Sequence, residues 1–180
     1  MKKYLWLFLI PIILFGVTAC TTKEKVEEIT TKTIELSDSE FRMKTTFTYD
    51  KGENYTNIEY DEDREEGKEL SFENRDFNLE FDMYYTDMRV DSYDSLQRSR
   101  SKQANYKEYK FGTYKAYTYG RSNDELEMNI LLDTDRDDIA KVLFVKVEKM
   151  EDETNESVIE LLESQVIQDF FNSIQMEYIS

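Results

Sequence analysis

An apolar/polar alternation of period two recurs along this chain, and it limits the fold more than any other feature. Phe77, Leu79, Phe81, Met83 and Tyr85 fall on one side of an extended segment, with Asn78, Glu80 and Asp82 on the other. Side chains alternate across a strand, so such a segment buries one face and wets the other. A helix would scatter the same residues around its circumference. Phe41, Met43, Thr45, Phe47 and Tyr49 repeat the pattern, and so do Leu126, Met128, Ile130 and Leu132 against Glu125, Glu127 and Asn129. Asn54 to Tyr60 and Lys68 to Phe72 read as shorter strands, flanked by turns at Asp50-Lys51-Gly52 and Glu73-Asn74-Arg75-Asp76. Gly112-Thr113 joins Tyr106–Phe111 to Lys115–Tyr119 as a hairpin. Lys141 to Val147 is apolar on both faces over Val142–Val145, which predicts a central strand.

Two stretches carry helical spacing instead. Asp91 to Ala104 places Tyr93, Leu96, Arg100 and Ala104 on one side, with Asp91 or Ser92 as cap. Arg98, Arg100 and Lys102 gather late in it, where cations suit the helix dipole. Residues 151–172 predict a long helix capped by Thr154 or Asn155, its apolar face built from Val158, Leu161, Leu162, Val166, Ile167, Phe170 and Phe171. Ser173 to Tyr178 then returns as a short strand with Ile174 and Met176 inward. The expected class is α+β: a mostly antiparallel sheet packed against a mid-chain helix and a long C-terminal helix.

The N-terminal stretch has a different character. Lys2 and Lys3 precede an apolar run from Tyr4 to Val17, and small residues follow up to Cys20. This is the layout of a secretory signal. The run is shorter than the roughly 20 residues that span a bilayer core as a helix, and Pro11 interrupts it. Cys20 is the only cysteine, so in an exported chain it is a reactive thiol, a partner for another chain or a modified site. Val17-Thr18-Ala19-Cys20 resembles the lipobox of bacterial lipoprotein precursors. That resemblance implies a diacylglyceryl group on the Cys20 thiol, removal of residues 1–19, and a protein anchored by lipid at the extracytoplasmic face of the cell membrane. Val17 stands where Leu is commonest in that family. The sparse apolar residues of 20–40 predict a flexible tether, leaving 41–180 as one domain.

Charge and residue types exclude several functions. The net charge is -16, and loss of Lys2 and Lys3 with the leader would take it to about -18. Such a chain repels phosphate backbones, so nucleic acid is not an expected partner. Anionic lipid repels it too, so membrane attachment falls to the acyl chains on Cys20. Histidine is absent, and with it the commonest general base and transition-metal ligand. Ser99 and Lys102 have a serine-lysine spacing, but a lysine on a charged surface helix stays protonated and makes a poor base.

The remaining candidates are few. The acidic run from Asp61 to Gly67 reads as a solvated turn. Asp133, Asp135 and Asp137 have the first spacings of an EF-hand loop, which leaves a weak calcium site open, but Asp138 and Phe144 stand where that loop needs Gly and Glu. Tyr109, Tyr117 and Tyr119 crowd the hairpin around Gly112-Thr113. They suit either a sugar- or peptide-binding surface or a half-buried strand pair. The order of elements resembles the PsbP/Mog1-like domains over about residues 41–178, with Phe170 and Phe171 followed by Ser173-Ile174. That resemblance implies a noncatalytic binding or assembly role and assigns no functional residue. The expected function is therefore a lipid-anchored binding or assembly module, without enzymatic activity or cofactor, whose partners are membrane lipid and a cell-envelope protein. The competing readings are a small solute-binding lipoprotein and a carboxylate-based envelope hydrolase using a pair such as Glu80 and Asp82.

Overall fold

A computed structural model describes residues 30–62, 67–120, 122–135, 138–150 and 156–180. Among these residues ten strands run in chain order: β1 Thr31–Asp38, β2 Met43–Asp50, β3 Tyr55–Asp61, β4 Glu69–Asn74, β5 Leu79–Arg89, β6 Lys107–Phe111, β7 Tyr114–Tyr119, β8 Glu125–Asp135, β9 Ile139–Lys149 and β10 Gln175–Tyr178. Helix α1 (Val90–Arg100) lies between β5 and β6, and α2 (Val158–Leu162) and α3 (Gln165–Asn172) precede β10. The strands form two antiparallel sheets. One has the order β1-β2-β10, the other β3-β4-β5-β9-β8-β7-β6.

This corrects the expected class. Strand makes up 55% of the described residues and helix 17%, so the fold is mostly β. Among the described residues no long C-terminal helix forms. Instead α2 and α3 meet at Glu163–Ser164, where the Ser164 side chain caps a new helix by accepting from the Ile167 amide at 3.4 Å. The Ser157 hydroxyl and the Glu160 carboxylate form a capping box that starts α2. Serines at these spacings satisfy the free amides of two short helices, which breaks one apolar face into two. The caps expected at Thr154 and Asn155 lie outside the described residues.

The tether is corrected in part as well. Residues 31–38 form β1, paired with β2 from Thr31↔Asp50 to Asp38↔Met43. Ile34 and Leu36 are fully buried, and the Tyr85 hydroxyl donates to the Leu36 carbonyl at 2.9 Å and lies 2.7 Å from Thr45 Oγ1. Two apolar residues are enough here because both enter one core. Residues 20–29 lie outside the described residues.

One face of the seven-stranded sheet packs against the small sheet and against α2 and α3. This core joins Phe47 of β2, Phe72 of β4, Leu79, Phe81 and Met83 of β5, Val145 and Val147 of β9, and Ile167, Phe170 and Phe171 of α3. Phe170 stacks on Phe47 and on Tyr55, each with ring centroids 4.8 Å apart. The register predicted for Leu79 to Tyr85 holds, and so does the central place of the strand over residues 141–147. Phe77 falls just before β5 and packs partly buried on the core edge. Buried Asp38 fastens the β1–β2 turn: its carboxylate accepts the amides of Glu40, Phe41 and Lys68.

The other face of the large sheet is covered only in part. α1 lies across it on a second cluster made of Tyr93, Tyr117, Tyr119, Ala140 and Val142. The α1 cap differs from expectation. Arg89 holds the N-cap position without a side-chain hydrogen bond, and neither Asp91 nor Ser92 supplies one.

Candidate functional site

The C-terminal end of α1 and the turn between β7 and β8 enclose a groove of about 310 Å³. Arg100, Gln103, Tyr119, Gly120, Ser122, Glu125 and Glu127 line it. Local sequence explains its shape. Asn105 takes a left-handed φ of 59° at the α1–β6 connection, and its Nδ2 donates to the Ser122 carbonyl at 2.8 Å. The Gly120 amide donates to the Ala104 carbonyl at 3.4 Å. The two connections are thus bound to each other and form one end of the groove. A Cβ at Gly120 would meet Leu126 Cδ2 at 2.6 Å and the Glu125 carbonyl at 2.7 Å, so the close approach of the turn requires glycine.

The walls differ in charge. The helix side brings Arg100 and Gln103. The strand side brings Glu125 and Glu127, which alternate with buried Leu126 and Met128 and so share the outer face. The Arg100 guanidinium lies over the Tyr119 ring, 4.5 Å from its centroid, while its buried Nε has no hydrogen-bond partner. The Glu125 carboxylate is 4.0 Å from Lys146 Nζ. Burial pushes the Tyr119 hydroxyl up to about 12, so it remains neutral at any physiological pH. Beneath the groove, Tyr117 stacks beside Tyr119 with centroids 5.9 Å apart and takes the edge of Tyr93 at 5.6 Å. Burial raises the Tyr117 hydroxyl as well. That hydroxyl and Asn129 Nδ2, which face one another in register on β7 and β8, are both buried without a partner.

The three tyrosines singled out in the sequence do not form one surface. Tyr117 and Tyr119 are buried under α1, with exposures of 0% and 4%. Tyr109 belongs to the opposite face, where it stacks on Phe111 and its hydroxyl donates to Glu163 at 2.6 Å. There it braces β6 against the α2–α3 junction. Of the three, only Tyr119 lines the groove. The sequence reading named Arg100 for its place at a helix end. It did not bring Arg100 together with Glu125 and Glu127, because their meeting depends on how α1 lies across the sheet.

Other candidates stand elsewhere. Glu80 is in register with Glu73 and Glu148, and Glu148 with Glu125, so four carboxylates cross β4, β5, β9 and β8 on the open face. Lys146 binds Glu148 at 2.8 Å, and Asp82 accepts from Ser71 Oγ at 2.6 Å. Burial, followed by the charges of Asp82, Glu148 and Glu73, raises the Glu80 carboxyl above its usual range. Ser99 and Lys102 are both exposed. Asp133 accepts from the Thr134 amide and from the Tyr178 hydroxyl, which ties β10 to the end of β8, and Asp137 lies outside the described residues. No group of three or more acidic, cysteine or histidine side chains among the described residues is placed to hold a metal ion. No described helix is long and apolar enough to cross a membrane. Cys20 lies outside the described residues. Comparison with models of known protein families, with characterised proteins and with solved structures gives no match.

Proposed function

We propose that this chain is a lipid-anchored protein of the extracytoplasmic membrane face, and that its β domain is a noncatalytic binding module. The observation that carries the reading is the position of Cys20. It follows a signal-like segment directly, is the only cysteine, and stands eleven residues before the first residue of β1. Eleven residues reach at most about 40 Å, so a lipid on Cys20 would hold the domain near the bilayer. Two acyl chains suffice for stable attachment. The groove beside α1 supports a binding role: it is concave, at the small end of the range for ligand sites, and presents a cation and two carboxylates. A sequence without histidine supports a role without acid–base catalysis.

Protease treatment of intact spheroplasts tests the placement. The domain is cut when protease is added to intact spheroplasts, and in untreated spheroplasts it stays with the membrane until detergent is added. A domain that remains protected until the cells are lysed contradicts the reading.

A further inference from the structure

We infer that the groove beside α1 binds a small zwitterion, the size of an amino acid or dipeptide, through its carboxylate at Arg100 and its ammonium at Glu125 and Glu127. This rests on the binding-module reading and gives it a ligand class. Three observations combine. Arg100 lines the groove half-buried, and among the described residues its guanidinium makes no ion pair with a carboxylate of the chain, which suits it to a carboxylate from a ligand. The Tyr119 ring lies 4.5 Å from the guanidinium carbon and restrains it, so less freedom is lost when an anion arrives. The facing wall carries two carboxylates from alternate positions of β8, one at the limit of ion-pair distance from Lys146. A ligand with one charge would satisfy one wall and meet like charge or an unpaired group at the other. A ligand with both charges satisfies both. The volume of about 310 Å³ suits one or two residues rather than a long peptide. Gln103, Gly120 and Ser122 add neutral polar groups to the lining.

The probe is alanyl-alanine, titrated calorimetrically into the full-length chain purified in detergent, alongside its N-acetyl and C-amide forms. The inference expects saturable binding of the free dipeptide and about tenfold or greater weakening for each blocked form. Arg100→Gln should bind the free and amidated forms equally. The double variant Glu125→Gln/Glu127→Gln should bind the free and acetylated forms equally. Absence of binding at millimolar dipeptide overturns the inference, as does equal binding of free and blocked forms by the wild type. The blocked ligands need no variant, so the test stands even where a substitution disturbs the fold. An envelope protein captured by the wild-type chain, together with a silent dipeptide titration, rejects the zwitterion and leaves the binding-module reading intact.

Discussion

The guanidinium of Arg100 rests on the ring of Tyr119, 4.5 Å from its centroid, and joins the last residue of α1 to the last residue of β7. The contact orients a cation in the lining of a groove. It contributes little to holding the helix down, because Tyr93 already does that from within the cluster at 4% exposure. Arg100→Gln is therefore expected to lower stability by about 1 kcal/mol or less. Urea denaturation of the variant reads this directly, and a loss beyond about 2 kcal/mol would make Arg100 a structural residue instead.

Phe170 is the reverse case. It touches Phe47 of the small sheet, Tyr55 and Phe72 of the large one, and Phe171 beside it. Its side chain is 1% exposed and holds α3 between the two sheets. Phe170→Ala should cost about 3–5 kcal/mol, mostly as a cavity that these neighbours cannot close. Denaturation with a loss under about 1 kcal/mol would show that α3 is dispensable.

Most of the large sheet could be read in the sequence because its strands alternate cleanly. Leu79 to Tyr85 and Leu126 to Leu132 each bury one face, and period two reports that regardless of neighbours. The small sheet was harder. β1 offers only Ile34 and Leu36, and their burial depends on pairing with β2 and on Tyr85 reaching across. The split between α2 and α3 had a local signal, Ser157 with Glu160 and then Ser164, but the apolar residues of both helices fit one continuous stripe. The groove combines residues from α1, β7 and β8, and no spacing along the chain encodes that meeting. The tyrosine cluster misled for a related reason. Alternation on β6 and β7 sends Tyr109 to one face and Tyr117 to the other.

Glu53 gives the fold a pH dependence of known sign. Burial raises its carboxyl, and the charges of Asp50, Asp169 and Asp76 push it further up. Its Oε2 is buried without a hydrogen-bond partner. A carboxyl whose folded pKa lies above its unfolded value binds its proton more tightly in the folded state. Folding is then penalised as pH rises from the ordinary carboxylate range through the raised value, and the penalty is complete at neutral pH. Glu53→Gln should raise the thermal midpoint at pH 7, and the gain should shrink as the pH falls toward 4. A midpoint difference that is flat with pH, or that grows on acidification, would contradict this.

The central claim is that Cys20 carries the lipid that holds the domain at the membrane. It is tested most directly by the intact mass of the chain extracted from membranes of an expressing bacterium. The account predicts a polypeptide that starts at Cys20 and carries the added mass of a diacylglyceryl group, and a Cys20→Ser chain without that mass. A membrane-bound wild-type chain that retains residues 1–19, or that starts at Cys20 with no added mass, would contradict it.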